Sequence, residues 1–192
     1  MIECIVLNRR IRKSIVLVHG LFANAGFWLP YIHHFPRHRL LLLNINYENI
    51  SDTELYNEAI TEKLQPFSQG THDAIIVHSM GAIIGRSINK ESRKCYFEIC
   101  PVTISKRTDI NSFIDEIKIK TGQTRSEIER QLMEAKAAIE NFAGDAHGDE
   151  EIHIPTNDKY FRYSTSKICC KYDGDHFNIE EAVRNIAKRM YS

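Results

Sequence analysis

The segment Ala74-Ile-Ile-Val-His-Ser-Met-Gly-Ala-Ile-Ile-Gly85 sets one serine between a continuous apolar run and a helix-like stretch. A buried strand running into Ser79, with a helix following at once, would leave the serine on a sharp turn, clear of the sheet. Its hydroxyl would then meet the unpaired N–H groups of the helix N-terminus, where the helix dipole favours negative charge. That is the geometry a G-x-S-x-G nucleophile elbow requires. Gly81 lets the backbone pass close, and Ala82 and Gly85 let the helix press onto the sheet. One position departs from the pattern. Val77 stands two before the serine, where glycine is usual, and its side chain crowds the turn. The plain alternative is an ordinary serine N-cap after a strand.

Other residues of chemical interest read more simply. His33, His34 and His38 have no cysteine or carboxylate beside them in sequence to complete a zinc set, so they read as a surface helix end. Arg9, Arg10, Arg12 and Lys13 read as a solvated loop, with steering of an anionic partner as the alternative. Neither G-x-G-x-x-G nor a Walker A loop occurs, so no dinucleotide or P-loop cofactor is expected, and no metal. Five cysteines, an odd number without a C-x-x-C pair, read as buried or half-buried thiols of a reducing, cytosolic compartment.

These residues need elements to hold them. Ile2–Leu7 reads as a strand, Ser14–Val18 and Leu40–Leu43 as strands buried on both faces, and Ala74–Val77 and Tyr96–Ile99 likewise. Between them, Asn24–Phe35 is helical or irregular and carries Trp28. Ser51–Phe67 is a helix capped by Ser51, and Met80–Ile88 another. Apolar strands alternating with helices predict an α/β fold, a mostly parallel central sheet with helices on both faces. After Cys100 the pattern changes. Residues 106–150 hold no convincing strand and read as a helical insert, a possible lid, within a single domain of residues 1–192. Within it, Phe113, Ile114 and Ile117 mark a short helix ended by Gly122. Thr124 and Glu127 form a possible capping box opening a helix with Ile128, Leu132, Ala135, Ile139 and Phe142 on one stripe. That stripe could line an acyl pocket or simply pack on the domain. Gly144 and Gly148 flank a polar exit. Strands return at Ile152–Pro155 and Ser166–Cys170, and a last helix starts at Asn178.

Composition bounds the partners. Lys plus Arg number 25 and Asp plus Glu 25, so the basic surplus of a phosphate-gripping protein is absent and nucleic acid is not expected. No apolar run approaches the ~18 residues of a membrane span.

His19-Gly20 after a buried strand, Trp28, Val77-His-Ser-Met-Gly81 and Gly174-Asp-His-Phe177 together resemble the α/β-hydrolase superfamily over most of the chain. The His-Gly to Trp stretch is similar to that of carboxylesterases acting on carrier-protein-bound acyl esters. The resemblance implies a serine hydrolase for an ester or thioester, and suggests an acyl-carrier protein or coenzyme A as the carrier of the acyl group. It implies Ser79 as nucleophile, His176 as general base, and the backbone N–H groups of Leu21 and Met80 as oxyanion hole. Phe22, Trp28 and His78 would line the substrate site, and His19 would hold the oxyanion loop. The acid is Asp158, after the penultimate strand, or Asp109, at the alternative position used by some members. The Asp158–His176 interval is short for a family that usually fits a helix there. With Val77, it motivates a second reading, a catalytically silent binding module. An acyltransferase using the same serine is a third.

Overall fold

The structure is a computed structural model. It describes residues 2–47, 53–67, 72–89, 95–102, 105–107, 109–141, 150–163 and 169–192. In chain order the strands are β1 (Ile2–Leu7), β2 (Ser14–Val18), β3 (Arg39–Ile45), β4 (Ala74–His78), β5 (Cys95–Ile99), β6 (Ser105–Arg107), β7 (Glu150–Pro155), β8 (Phe161–Tyr163) and β9 (Cys169–Tyr172). The α-helices are α1 (Thr53–Leu64), α2 (Gly81–Asn89), α3 (Ile110–Thr121), α4 (Arg125–Asn141) and α5 (Glu180–Tyr191), and Ala25–His34 forms a 3-10 helix. The expected Ser51 cap, Phe142, Gly144, Gly148 and the first residues of the Ser166–Cys170 strand lie outside the described residues.

Seven strands form one sheet in the order β1-β3-β2-β4-β5-β7-β9. Only β1 is antiparallel, on the β3 edge. The others run parallel, so every crossover returns to the same end and the C-terminal ends of β2, β4, β5, β7 and β9 open together. The period of two along the strands sorts side chains into two cores. Val16, Val18, Leu41, Leu43 and Ile75 face α1 and α2 through Ile60, Leu64, Ile83 and Ile84. Ile15, Leu17, Leu40, Leu42 and Ile76 face the 3-10 helix and α5 through Trp28, Phe35, Val183 and Ile186. Both faces are covered, which is why the strands read as unbroken apolar runs.

A third cluster joins α3 and α4 to the segment after β7: Phe113, Ile114 and Ile117, Ile128 and Leu132, Tyr160 and Phe161. Gly122, left-handed with φ of 73°, ends α3. The capping box forms as expected: Thr124 N donates to Glu127 Oε2 at 2.7 Å, and the Thr124 hydroxyl does so at 2.6 Å. The expectation that residues 106–150 hold no strand is corrected at its start. Lys106 and Arg107 belong to β6, which pairs antiparallel with β8 in a separate two-stranded sheet. Three residues are too few for a two-residue period to register in sequence.

Candidate active site

Ser79 sits at the turn between β4 and α2 with φ of 52°, a left-handed backbone that costs a non-glycine residue on the order of 1–3 kcal/mol. Two hydrogen bonds hold it there. Its N–H donates to the Ile99 carbonyl at 2.9 Å, tying the turn to the end of β5, and its carbonyl accepts from Ala82 N at 3.1 Å. Val77 does crowd the region, and Gly85 makes the room. A Cβ built on Gly85 would lie 2.4 Å from Val77 Cγ1. The same close fit recurs on the other side, where a Cβ on Gly20 would lie 2.8 Å from Ser79 Cβ. α2 is held against the sheet by a buried two-point ion pair. Arg86 Nε and Nη2 donate to Glu98 Oε1 and Oε2 on β5 at 2.6 and 2.8 Å.

His176 follows β9 in the turn before α5. Its Nε2 lies 3.1 Å from Ser79 Oγ. Its Nδ1 lies 3.4 Å from Asp158 Oδ2. Its backbone carbonyl accepts from His78 Nε2 at 2.8 Å, and Phe161 stacks on its ring with centroids 4.4 Å apart. Asp158 follows β7. Its Oδ1 accepts from Tyr160 N and Phe161 N at 2.9 and 3.0 Å, and its Oδ2 accepts from the Tyr163 hydroxyl at 2.6 Å. Burial alone would raise this carboxyl, but the hydrogen bonds from His176, Tyr163 and the Tyr160 amide outweigh it and hold it below the ordinary carboxylate range. Three sequence-distant groups, each buried, thus meet at the open end of the parallel strands.

Asp109 is elsewhere. It is the N-cap of α3, exposed, and its carboxylate accepts from Ser112 N and Oγ. Asp175 accepts from Phe177 N and Asn178 N, a loop role. His19 is buried and structural: Nδ1 donates to the Gly20 carbonyl at 2.8 Å, Nε2 accepts from Ile45 N at 3.0 Å, and Tyr47 donates to its carbonyl. His78 is pushed down to about 3 by burial and by His176 beside it, so its ring is a neutral donor rather than a charge.

An apolar cavity of about 330 Å³ opens over Ser79 and His176. Leu21, Phe22, His78 and Met80 line it, with Phe27 and Tyr31 of the 3-10 helix, Phe113 and Ile117 of α3, and Leu132, Ala135 and Ile139 of α4. Phe22 is left-handed, φ 63°, and its ring meets Phe113 edge to face. Met80 precedes α2 directly, so its N–H belongs to the helix N-terminus. Trp28 is the predicted contact that the structure places elsewhere. It is fully buried under the 3-10 helix among Phe35, Leu42 and Val183. Three residues per turn bring Phe27 and Pro30 to the cavity and turn Trp28 under the helix. Sequence reasoning missed Phe161, Tyr163 and Phe113. The alternation Phe161, Tyr163 was a faint strand signal. A second cavity, of about 580 Å³, lies across the Leu21–Ala23 loop and is lined by Asn24, Asn44, Asn46, Gln123 and Gln131, with Glu3, which accepts from Asn44 Nδ2 at 3.4 Å, as its one charged side chain among the described residues.

The basic cluster Arg9–Lys13 precedes β2, at the opposite end of the parallel strands from Ser79, about 16 Å away by strand length. His33 and His34 do gain a carboxylate, contrary to expectation. Glu180 comes from 146 residues away, with Oε1 2.6 Å from His34 Nε2. Arg37, Arg184 and Lys188 line the same groove, which disfavours a cation there. Cys4, Cys95 and Cys100 are unbridged, though Cys95 is exposed rather than buried. Among the described residues no helix is long and apolar enough to cross a membrane.

No protein-family model matches the chain, and no curated protein matches it in sequence. Solved structures match in fold. The NocB thioesterase domain, in covalent complex with a fluorophosphonate nocardicin G analogue, aligns with a TM-score of 0.70 at 14% identity, covering 99% of this chain and 100% of that one. A variant of the N-acyl homoserine lactonase AidH with N-hexanoyl homoserine aligns at 0.62 and 12% identity, covering 100% and 95%. The bottromycin epimerase BotH aligns at 0.61 and 13% identity, covering 98% and 94%. An epimerase among these structures means that the architecture alone fixes no reaction. The chain has the α/β-hydrolase fold.

Proposed function

We propose that the chain is a serine hydrolase that cleaves a carboxylic ester or thioester through an acyl-Ser79 intermediate. The observation that carries this reading is the line Ser79 Oγ, His176 Nε2, Asp158 Oδ2, with separations of 3.1 Å and then 3.4 Å from Nδ1, set on a left-handed elbow. His176 takes the Ser79 proton as Oγ attacks the carbonyl, then returns it to the leaving oxygen or sulfur. Asp158, held ionised, keeps Nδ1 protonated and Nε2 free to accept. The N–H groups of Leu21 and Met80 receive the oxyanion, each such donor typically worth ~10²–10³ in rate. Water then attacks the acyl-enzyme by the same base.

The acyl part fits the apolar cavity, over which α3 and α4 act as a lid. The leaving group fits the amide-lined cavity beyond Leu21–Ala23, which suits a neutral chain bearing amides or hydroxyls, as the arm of an acyl-carrier protein or coenzyme A does. The basic cluster, exposed at the far end of the strands, reads as a solvated loop. Unbridged thiols fit a cytosolic setting. Against the silent-module reading stand two contacts: Gly85 leaves room for Val77, and Phe161 of β8 stacks on the histidine.

A fluorophosphonate probe tests this directly. Wild type labels covalently and Ser79→Ala does not. Asp158→Asn slows labelling by about 10³–10⁴-fold, while Asp109→Asn leaves it within about twofold. Equal labelling of wild type and Ser79→Ala, or none of either, sinks the reading.

A further inference from the structure

We propose that Tyr163 is a positioning residue whose hydroxyl bridges Asp158 and His176, making the site a chain of four groups. The proposal rests on the serine-hydrolase reading. The direct Asp158–His176 contact, 3.4 Å, is longer than the ~2.7–2.9 Å of a charge-assisted N–H···O bond. The route through the phenol is shorter at each step: 3.2 Å from His176 Nδ1 to Tyr163 Oη, and 2.6 Å from Oη to Asp158 Oδ2. Oδ1 is occupied by two backbone amides, so Oδ2 is the oxygen through which the carboxylate reaches the histidine.

The proton positions follow. A phenol has one proton to give, and the 2.6 Å partner, a carboxylate, takes that bond. The Oη lone pair is then left to accept from Nδ1–H. The tyrosine keeps its proton throughout, because burial, Cys100 and the Asp158 charge push its ionisation far above the ordinary phenol range. Tyr163 therefore shares the carboxylate's charge and fixes the tautomer without itself exchanging a proton.

The placement is built in. β8 pairs with β6 in the register Ser105↔Tyr163, which pins the strand. Phe161 and Tyr163, two apart, share one face of β8, so the residue that stacks on the imidazole and the residue that bonds it come together. The other titratable or charged groups around this ring are His78 before the elbow, Cys100 after β5, Tyr172 on β9, Asp175 in its own turn, and Lys120 of α3 over the adjoining Phe177. His78 and Cys100 stay neutral across the working range, pushed by burial to about 3 and about 12.

Tyr163→Phe removes the hydroxyl and keeps the ring. Nδ1–H is then left with the 3.4 Å contact to Asp158 in place of its shorter acceptor, so its proton resonance moves upfield. Proton NMR reads it, assigned by difference from His176→Gln. kcat falls by up to about tenfold through the looser ring, with KM unchanged because Tyr163 does not line the cavity. In an Asp158→Asn background Tyr163→Phe costs little further. An Nδ1–H resonance that does not move, or a kcat loss just as large in the Asp158→Asn background, overturns the proposal. The NMR arm needs no turnover, so absent labelling of wild type overturns the hydrolase reading separately from the coupling.

Discussion

Val77 is the residue at which this chain leaves the usual elbow pattern, and Gly85 answers it. The two face each other across the β4–α2 packing, one residue larger than usual and the other without a side chain. Gly85→Ala would drive its Cβ to 2.4 Å from Val77 Cγ1 and 2.7 Å from the Tyr96 hydroxyl, so helix or strand must shift. The expected cost is about 1–3 kcal/mol in a urea titration, the usual range for overpacking. Adding Val77→Ala should return at least half of it. If the double variant is no more stable than Gly85→Ala alone, the pair is not compensatory. The serine and its glycines were legible in sequence because the elbow is local, twelve consecutive residues. Trp28 was misjudged because its direction depends on the helix type, and the 3-10 winding was not readable from Asn24–Phe35.

At the level of elements, the strands and helices up to β5 were legible because each is buried on both faces or amphipathic over at least a full turn. What lay hidden were pairings at long range. Glu98 gave no signal as a buried acid, and Arg86 none as its partner, yet together they clamp α2 to β5 and so hold the turn that bears Ser79. Glu98→Ala leaves a guanidinium buried without its carboxylate, which typically costs about 3–5 kcal/mol. Replacing both by apolar residues, Arg86→Met with Glu98→Leu, should cost much less, since neither charge is then stranded. Chemical denaturation of the three proteins distinguishes the outcomes. A single variant no less stable than the double would mean that the pair carries no such penalty. β8 was hidden for a different reason. It lies within the interval where the resemblance expected a helix, and its three residues are specified by pairing with β6 rather than by their own pattern.

For the molecule as a whole, the closing of the sheet buries histidines that the unfolded chain exposes to water. His19, His38, His78 and His153 are each held below the ordinary imidazole value of 6.5, burial being the largest cause in all four. The folded protein keeps these rings neutral to a lower pH than the unfolded chain, which takes up a proton on each as pH falls through about 6.5. Their contribution to stability is therefore complete above that pH and is lost progressively below it, down to about 3 for His78. Each proton taken up on unfolding contributes about 1.4 kcal/mol per pH unit to the slope. Asp158, also held low, adds to the loss only below the carboxylate range. Unfolding free energies measured from pH 8 to 5 should accordingly stay flat at the alkaline end. Near pH 5.5 they should fall, with close to one proton from His78 alone and more from the other three rings, before most carboxylates titrate. His38→Gln should reduce that slope by up to one proton, because it removes a ring that bonds the Tyr191 hydroxyl at 3.1 Å but takes no part in the site. A slope below one proton at pH 5.5 would mean that the buried rings are protonated in the folded state.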